Sequence, residues 1–356
     1  MGSSSTWIGR KKIALRLQFN MATKIRWGIL SPAAIGLKKV IPGMQQGELC
    51  EITAIASRDL GRAQSAAKQL GIPKAYGSYE QLLADPDIDA IYNPLPNDLH
   101  VPWSIKAAEA GKHVLCEKPI ALSVAETRLL IAARDRTGVK IGEAFMVRTH
   151  PQWHLAREIV QNGKLGRIVS IAGFFSYFNR DPNNIRNNTA QGGGALMDIG
   201  CYPITQTRYL LGEEPFKVIA MVDRDPDFGT DRCTSAMMQF PTAQATFTCG
   251  TQVVPYQKLI VFGTEARLEI QIPFNAPPGH ACKLFVDSGK DPAGASAVLM
   301  EAAPCDQYTL QGDQFSSAIL ENTAVAVPLE DALNNMAVIE ALFRSAETSR
   351  WESPTA

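Results

Sequence analysis

The sequence has no run of about 18 apolar residues, so no membrane span is expected. It also has no excess of either charge: lysine and arginine together number 35, as do aspartate and glutamate. A balanced charge does not favour binding to nucleic acid or to an anionic membrane surface. The composition instead favours a small-molecule ligand.

Closely spaced cysteines are absent as well. The seven cysteines are scattered along the chain: Cys50, Cys116, Cys201, Cys233, Cys249, Cys282 and Cys305. No two have the spacing of a metal knuckle, and a chain of this length does not need disulfide staples. We therefore expect reduced thiols, no bound metal and a cytoplasmic location.

Residues 1–21 differ from the rest of the chain, because the first 20 carry four basic residues and no acidic one. The apolar stretch Ile13–Leu15 is interrupted by Arg16, so it is too short for a secretory signal. Since Met21 follows, we expect residues 1–21 to form an extension that is disordered or precedes the native start.

The remaining length predicts two domains, because 356 residues exceed what one core usually holds. From Lys24 to Phe145, short apolar runs alternate with helical patterns, which is typical of βαβ units and a parallel sheet. Right-handed crossovers make residues 22–145 a Rossmann-type dinucleotide-binding domain. Gly43 is predicted to end its first helix.

Residues 146–356 follow a different pattern, that of an α+β domain for substrate binding and dimerisation. Strand candidates separated in part by glycine turns are Ile168–Phe178, Val218–Val222, Cys233–Gln239, Ala245–Cys249, Lys258–Phe262 and Arg267–Ile270. They predict a large, mostly antiparallel open sheet, with helices on one face and the other face free to pair with a second subunit. Ala332–Ser349 is predicted as a final amphipathic helix.

The turn after the first strand is expected to hold a pyrophosphate at a helix N-terminus. The usual G-x-G-x-x-G is replaced by Ser31-Pro32-Ala33-Ala34-Ile35-Gly36, so only the third glycine remains. Ser31 must then make the tight turn. We predict cofactor contacts for Ser31, Ala33, Ile35 and Gly36, although the motif alone fits a purely structural turn equally well.

The end of the second strand discriminates between nicotinamide cofactors. An NAD enzyme usually places Asp or Glu there, bonded to the ribose 2′-hydroxyl, but this chain reads Ser57-Arg58. A hydroxyl and a planar guanidinium suit a 2′-phosphate, and Arg62 lies one helical turn further on. We predict NADP contacts for Ser57, Arg58 and Arg62. Solvated arginines are the alternative, and Asp59 leaves NAD open as the less favoured cofactor.

Two further segments follow strands at the sheet edge where such folds bind ligands. In the loop Asn93–His100 we predict cofactor contacts for Leu95, Asn97 and His100. Asn97 or Asp98 as the N-cap of the next helix is the alternative. The second segment holds Glu117 and Lys118, and a lysine at the tip of a buried strand requires a carboxylate, a substrate or a cofactor as its partner.

Asp198 and Tyr202 are four residues apart, a spacing that puts both on one face of a helix. Oxidation of a carbinol requires a group that takes the hydroxyl proton. A tyrosine can do this if a nearby ammonium lowers its pKa. We predict that Lys118 does so for Tyr202, with Asp198 orienting substrate or keeping Lys118 charged. A core tyrosine with a capping aspartate is the alternative.

Six segments together resemble the Gfo/Idh/MocA oxidoreductase family in order and spacing: Trp27–Gly36, Ala56–Asp59, Asn93–His100, Ala107–Pro119, Glu143–Gln152 and Gly192–Ile204. The resemblance implies a Rossmann domain followed by a domain with a large open sheet, assembled as a dimer or a dimer of dimers. It also implies that Lys118 is the catalytic lysine and that Pro119 is often cis.

Many members of that family have histidine where this chain has Tyr202. Tyrosine there is similar to the branch of glucose–fructose oxidoreductase, dimeric dihydrodiol dehydrogenase and NADP-linked D-xylose dehydrogenase. The resemblance further implies a cofactor contact for Glu117, Lys118 and Arg148, and a substrate contact for Arg186, Asp198 and Tyr202.

We therefore expect an NADP-dependent oxidoreductase that moves hydride at a carbinol carbon of a sugar or polyol, such as C1 of D-xylose or D-glucose, which gives a lactone. One alternative is a trans-dihydrodiol dehydrogenase with the same residues. Another, of a different class, is a non-catalytic NADP-sensing regulatory protein with the same fold.

Overall fold

The computed structural model describes residues 24–356, and the expected extension 1–21 lies outside them. Six parallel strands form the first sheet: β1 (Ile25–Leu30), β2 (Cys50–Ala56), β3 (Lys74–Tyr76), β4 (Ala90–Asn93), β5 (His113–Glu117) and β6 (Ile141–Ala144). Their order is β3-β2-β1-β4-β5-β6. The strand order reverses between β1 and β4, and doubly wound sheets bind ligands at such a point. The Rossmann-type prediction is confirmed.

Helices connect these strands: α1 (Ile41–Gln45), which continues a π-helical turn at Gly36–Val40, α2 (Leu60–Leu70), α3 (Tyr79–Leu83), α4 (His100–Glu109) and α5 (Val124–Thr137). The prediction that Gly43 ends the first helix is wrong, because α1 continues to Gln45. A Cβ atom on Gly43 would lie 2.8 Å from Cβ of Tyr308. The absence of a side chain at Gly43 therefore lets Tyr308 pack closely against α1.

Eight strands form the second sheet: β7 (Ile168–Phe178), β8 (Lys217–Arg224), β9 (Asp231–Gln239), β10 (Gln244–Gly250), β11 (Gln252–Gly263), β12 (Arg267–Ile270), β13 (Cys282–Asp287) and β14 (Ala297–Ala302). Their order is β14-β13-β12-β11-β7-β10-β9-β8. β7 and β10 run parallel, and the other neighbouring pairs are antiparallel. The mostly antiparallel open sheet is confirmed.

Four helices accompany this sheet in the sequence: α6 (Pro151–Gln161), α7 (Cys201–Leu211), α8 (Gln307–Leu320) and α9 (Leu329–Thr348). The sheet face towards these helices buries Phe175, Phe247 and Leu259. The opposite face exposes large apolar side chains, including Met221 and Met237. Between residues 24 and 356, no helix combines the length and the apolar character that crossing a bilayer requires.

Helix α8 was not predicted from the sequence, and it packs against the first sheet although it follows the second one in the chain. The ring centroids of Trp27 in β1 and Phe315 in α8 are 5.6 Å apart. The Trp27 indole N–H also donates to Ser316 Oγ at 3.2 Å. The region 146–356 therefore contributes a helix to the core of the dinucleotide-binding domain.

Candidate active site

A cleft of about 990 Å³ lies between the two sheets, near the upper limit of typical small-molecule pockets. The first domain contributes the turn after β1, the loop after β4 and the end of β5. The second domain contributes the end of β7, the loop that follows it and the segment that leads into α7. Both halves of the chain therefore meet around one ligand-sized space.

Ser31 makes the tight turn after β1, as the sequence requires. Its φ angle is 85°, in the left-handed region that glycine usually occupies, and its N–H donates to the Ala56 carbonyl at 2.9 Å. Ser31, Ala33 and Ile35 line the cleft, whereas Gly36 does not. The turn therefore lines the cleft without the first two glycines of the usual motif.

The residues after β2 divide into two groups. Arg62 lines the cleft, but Ser57 and Arg58 are not among its lining residues in the described chain. Ser57 is buried, and its hydroxyl accepts the Asp59 N–H at 3.2 Å. Asp59 in turn caps α2 by accepting the Arg62 N–H at 3.1 Å. Of the predicted clamp, only the Arg62 side chain reaches the cleft, and the Asp59 carboxylate already serves the helix.

Leu95, Asn97 and His100 all line the cleft, but His100 has a different role from the predicted cofactor contact. Its Nδ1 lies 2.8 Å from the Pro119 carbonyl, and its Nε2 lies 2.7 Å from the Leu95 carbonyl. Burial lowers the pKa of His100 to about 4, so one nitrogen of the neutral ring donates. The neutral ring therefore lies between the Leu95 and Pro119 carbonyls and donates to one of them.

Asn97 joins the two halves of the cleft, because its amide donates to the Gly192 carbonyl at 3.1 Å. The alternative that Asn97 or Asp98 caps α4 is excluded: Leu99 is the N-cap residue and makes no side-chain cap. Glu117 also lines the cleft. Its carboxylate accepts the Tyr92 hydroxyl at 2.7 Å, and burial raises its pKa.

Lys118 and Asp198, which are 80 residues apart, form a largely buried ion pair at the cleft. The Lys118 ammonium lies 3.1 Å from Asp198 Oδ1 and also donates to the Asp198 carbonyl. Burial opposes the charge on Lys118, but Asp198 keeps its pKa above the ordinary value. The peptide bond between Lys118 and Pro119 is cis.

The second carboxylate oxygen of Asp198 accepts two more hydrogen bonds, from the Tyr177 hydroxyl at 2.6 Å and from Arg186 Nε at 2.8 Å. Burial alone would raise the pKa of Asp198. The charges of Arg186 and Lys118 nevertheless hold that pKa below its usual range. Asp198 is therefore an ionised centre that orients a lysine, a tyrosine and an arginine around the cleft.

Asp231 fixes the segment that carries Asp198. Its carboxylate accepts the Leu196 N–H at 2.7 Å and the Thr234 hydroxyl at 2.9 Å. Gly194 has a φ angle of 117°, and a Cβ there would overlap Asp231 Oδ1. The third glycine of Gly192–Gly194 therefore allows the close approach that anchors the segment.

Tyr202 lines the cleft with Lys118 and Asp198, but its hydroxyl does not meet the ammonium. The Lys118 Nζ lies 5.1 Å from the Tyr202 ring centroid, and the Tyr202 hydroxyl donates to Met146 Sδ at 3.4 Å. Burial raises the pKa of Tyr202 well above 10. The prediction that Lys118 lowers this pKa is therefore wrong for this arrangement.

Arg148 also departs from prediction. Its guanidinium pairs with Asp331 Oδ2 at 3.1 Å and lies 4.1 Å from the Tyr209 ring centroid. Arg148 is not among the residues that line the cleft in the described part of the chain. Its partners make it a contact between α9 and α7 rather than a cofactor contact. Arg186, by contrast, lines the cleft, and its contact with substrate stays a prediction.

Sequence reasoning missed several lining residues: Met146, Phe175, Tyr177, Asn179, Asn183, Asn184, Asn275 and Tyr308. The four asparagines add uncharged polar groups to the wall of the second domain, which also carries Arg186 and Asp198. Tyr177 was detectable in principle, because it lies in the correctly predicted strand Ile168–Phe178, close to its end. Among residues 24–356, no group of three or more His, Cys, Asp and Glu side chains is arranged to hold a metal ion.

These features define a class of protein: a two-domain oxidoreductase with a Rossmann domain and a ligand cleft at the edge of its sheet. Two family models match the chain. The oxidoreductase family with an NAD-binding Rossmann fold matches residues 25–145, and the GFO/IDH/MocA C-terminal domain matches residues 153–269. The chain belongs to the GFO/IDH/MocA family, and it is a dehydrogenase or reductase.

Relatives cover nearly the whole chain. An uncharacterized oxidoreductase of Rhizobium meliloti is 48% identical over 92% of this chain and 99% of its own. D-xylose 1-dehydrogenase (NADP(+)) 2 of Haloferax volcanii is 39% identical over 90% of this chain and 97% of its own. The solved 3-ketoreductase of Actinomadura kijaniata, in complex with NADP and TDP-benzene, has a TM-score of 0.85 at 28% identity, over 91% of this chain and 98% of that one.

Proposed function

We propose that this protein is an NADP-dependent oxidoreductase that transfers hydride between the nicotinamide and a carbinol carbon of a sugar, with an aldose such as D-xylose or D-glucose as the substrate class. The observation that carries the proposal is the buried Lys118–Asp198 pair beside Tyr202 in the cleft. An ammonium held by an ionised carboxylate next to a protonated phenol provides two hydrogen-bond donors for one substrate oxygen.

The protein residues handle the proton, whereas the bound nicotinamide supplies the carbon that accepts or gives the hydride. In the reductive direction, the Tyr202 hydroxyl donates its proton to the carbonyl oxygen of the substrate. Lys118 stabilises the negative charge that develops on that oxygen. In the oxidative direction Tyr202 first has to release its own proton to solvent, and only then can the phenolate take the proton of the substrate hydroxyl. Asp198 keeps Lys118 charged throughout and remains ionised itself.

Arg62 is the residue that we propose for the 2′-phosphate of NADP. It is exposed and lines the cleft on the side of β2. A guanidinium binds a phosphate through two parallel hydrogen bonds, and Asp59, the residue that would serve an NAD ribose, is occupied as a helix cap. The cleft volume of about 990 Å³ accommodates a dinucleotide together with a small substrate.

Two assays test this function. Thermal shift with NADP and with NAD identifies the bound cofactor, and absorbance at 340 nm with xylose, glucose and trans-dihydrodiols identifies the substrate. We expect NADP to stabilise more than NAD and absorbance to rise steadily with an aldose. Stabilisation by NADP without turnover of any substrate would favour a sensing protein. Turnover of dihydrodiols alone would contradict the proposed substrate class.

We further propose that the protein forms a homodimer through the outer face of the second sheet. Met237 pairs with Ile219 across β8, and Met221, Met237 and Tyr256 are exposed apolar side chains of this sheet. An extended apolar surface is typical of a protein interface. Light scattering should give twice the mass of one chain, and replacing Met221 and Met237 by Asp together should give a monomer. A monomeric unmodified protein would overturn this proposal.

A further inference from the structure

A buried carboxyl group, that of Glu143, supports the loop that carries Lys118 on the side away from the cleft. This group does not line the cleft and forms no ion pair among residues 24–356. Glu143 lies in β6, is 4% exposed, and accepts the Ile120 N–H through Oε1 at 2.8 Å. Ile120 follows the cis-bonded Pro119, so this hydrogen bond fixes the backbone two residues beyond Lys118. The His100 ring packs beside the same loop, with Nδ1 2.8 Å from the Pro119 carbonyl oxygen.

Glu143 also lines a small cavity whose other lining residues are mostly apolar. Glu143 Oε2 is buried without a hydrogen-bond partner among residues 24–356, and so are Nε2 and Oε1 of Gln311 in α8. Both side chains line one small cavity of about 20 Å³, together with Thr149 and several apolar residues. A space of this size holds about one water molecule, and a buried water needs two to four polar partners. Glu143 and Gln311 supply three.

We propose that Glu143 is a positioning residue for Lys118, and that Glu143 and Gln311 together bind one ordered water behind the lysine loop. The protonated carboxylic acid suits this role, because its hydroxyl donates to the water while Oε1 still accepts from Ile120. Burial raises the pKa of Glu143 to about 8. The charged groups that act on it are Asp331, Arg208 and Lys118. The kinetic part of this inference rests on the proposed function.

A matched control lies in the same loop. The Glu126 carboxylate accepts the Leu122 N–H at 2.8 Å, the same contact at the same distance two residues further along. Glu126 is only partly buried and does not line the small cavity. Replacing Glu126 therefore removes a carboxylate from this loop without disturbing the support behind Lys118.

The experiment compares Glu143→Gln, Glu143→Met and Glu126→Gln by kcat between pH 6 and 9.5, by NADPH affinity and by crystallography. We expect Glu143→Met to lower kcat about tenfold or more, in the range of a misplaced catalytic group, with little change in NADPH affinity. Glu143→Gln keeps the neutral hydrogen-bond pattern, so its kcat should stay close to normal. The kcat of the unmodified enzyme should fall above about pH 8, and the kcat of Glu143→Gln should not. Glu126→Gln should behave as the unmodified enzyme throughout.

If Glu143 has only a structural role, Glu143→Met should have a lower melting temperature but an unchanged kcat. Glu143→Gln should then keep the pH profile of the unmodified enzyme. This pair of results would overturn the proposal. The crystal structures supply the readout without turnover. We expect a water between Glu143 and Gln311, and a displaced Lys118 in Glu143→Met. An intact Lys118–Asp198 pair in that variant, or a site without water, contradicts the inference even if no aldose is a substrate. Inactivity of the unmodified enzyme contradicts only the proposed function.

Discussion

The Lys118 ammonium faces the ring of Tyr202 and not its hydroxyl: Nζ lies 5.1 Å from the ring centroid, while the hydroxyl donates to Met146 Sδ. Two of the three ammonium donors bond to the carboxylate and the carbonyl of Asp198, which leaves one donor for a substrate oxygen. The phenol is buried and carries its proton, which suits it to give a proton to a carbonyl oxygen. In the oxidative direction, Tyr202 has to release this proton before it can take one from the substrate hydroxyl.

The first prediction concerns the ionisation of Tyr202. Because burial raises its pKa above 10, Tyr202 should contribute no tyrosinate absorbance at 295 nm below pH 10 in the protein without ligands. The difference between the titrations of the unmodified protein and of Tyr202→Phe measures this contribution directly. A tyrosinate signal lost in Tyr202→Phe near pH 7 would contradict the arrangement described here.

The second prediction concerns the charge balance around Asp198. Asp198→Asn removes the negative charge that Lys118 and Arg186 share, and breaking a buried ion pair in this way costs about 3 kcal/mol or more. Urea denaturation should therefore give a clearly lower free energy of unfolding. Asp227→Asn is the control, since Asp227 pairs with Arg180 at the surface, where such pairs contribute about 0 to 1 kcal/mol. Equal effects of the two substitutions would contradict the assignment of Asp198.

The third prediction concerns cofactor choice. Arg62→Ala should weaken NADP binding by about tenfold or more, because a hydrogen bond to a charged group contributes about 1.5 to 3 kcal/mol, and should leave NAD binding nearly unchanged. Arg136→Ala is a suitable control, since Arg136 is paired with Glu109 and is not among the residues that line the cleft. Titration calorimetry with both cofactors measures the difference. Equal losses for NADP and NAD would remove Arg62 from the phosphate site.

The fourth prediction concerns stability and pH. The pKa of Glu143 is about 8 in the folded protein, above its ordinary value of 4.5. The folded state therefore binds the proton more tightly than the unfolded state does, and the stability that this contributes is full below pH 4.5 and lost as pH rises to 8. The free energy of unfolding, relative to Glu143→Gln, should thus fall between pH 5 and 8 and then level off. A constant difference would mean that Glu143 is ionised at pH 5.

Local patterns predicted much of this fold. The strand Ile168–Phe178 has the predicted bounds, because its sequence is β-branched and aromatic and ends at polar residues. Helix α8 was not predicted because Phe315 and Ser316 contact Trp27, almost 300 residues earlier, so that the position of the helix depends on a tertiary contact. Gly43 was misassigned for a related reason, since the residue that packs against it, Tyr308, belongs to the same distant helix.

In the candidate site too, local sequence patterns identified residues but not their tertiary contacts. Lys118, Asp198 and Tyr202 were predicted together, because a buried lysine requires a partner and a four-residue spacing shares a helix face. The direction of each side chain was not predictable: Lys118 gives two of its three donors to Asp198, Arg148 pairs with Asp331, and the Ser57 hydroxyl accepts the Asp59 N–H. Sequence spacing determines which residues come near one another. The hydrogen bonds within the folded protein determine which atoms face the cleft.

The most direct test of the central claim is the rate of NADPH change at 340 nm for Lys118→Met and for Tyr202→Phe, measured alongside NADPH binding by fluorescence. We predict that both variants bind NADPH almost normally and that each loses most of its turnover, by about a hundredfold or more where a proton donor is removed. Near-normal rates in both variants would contradict the proposed chemistry.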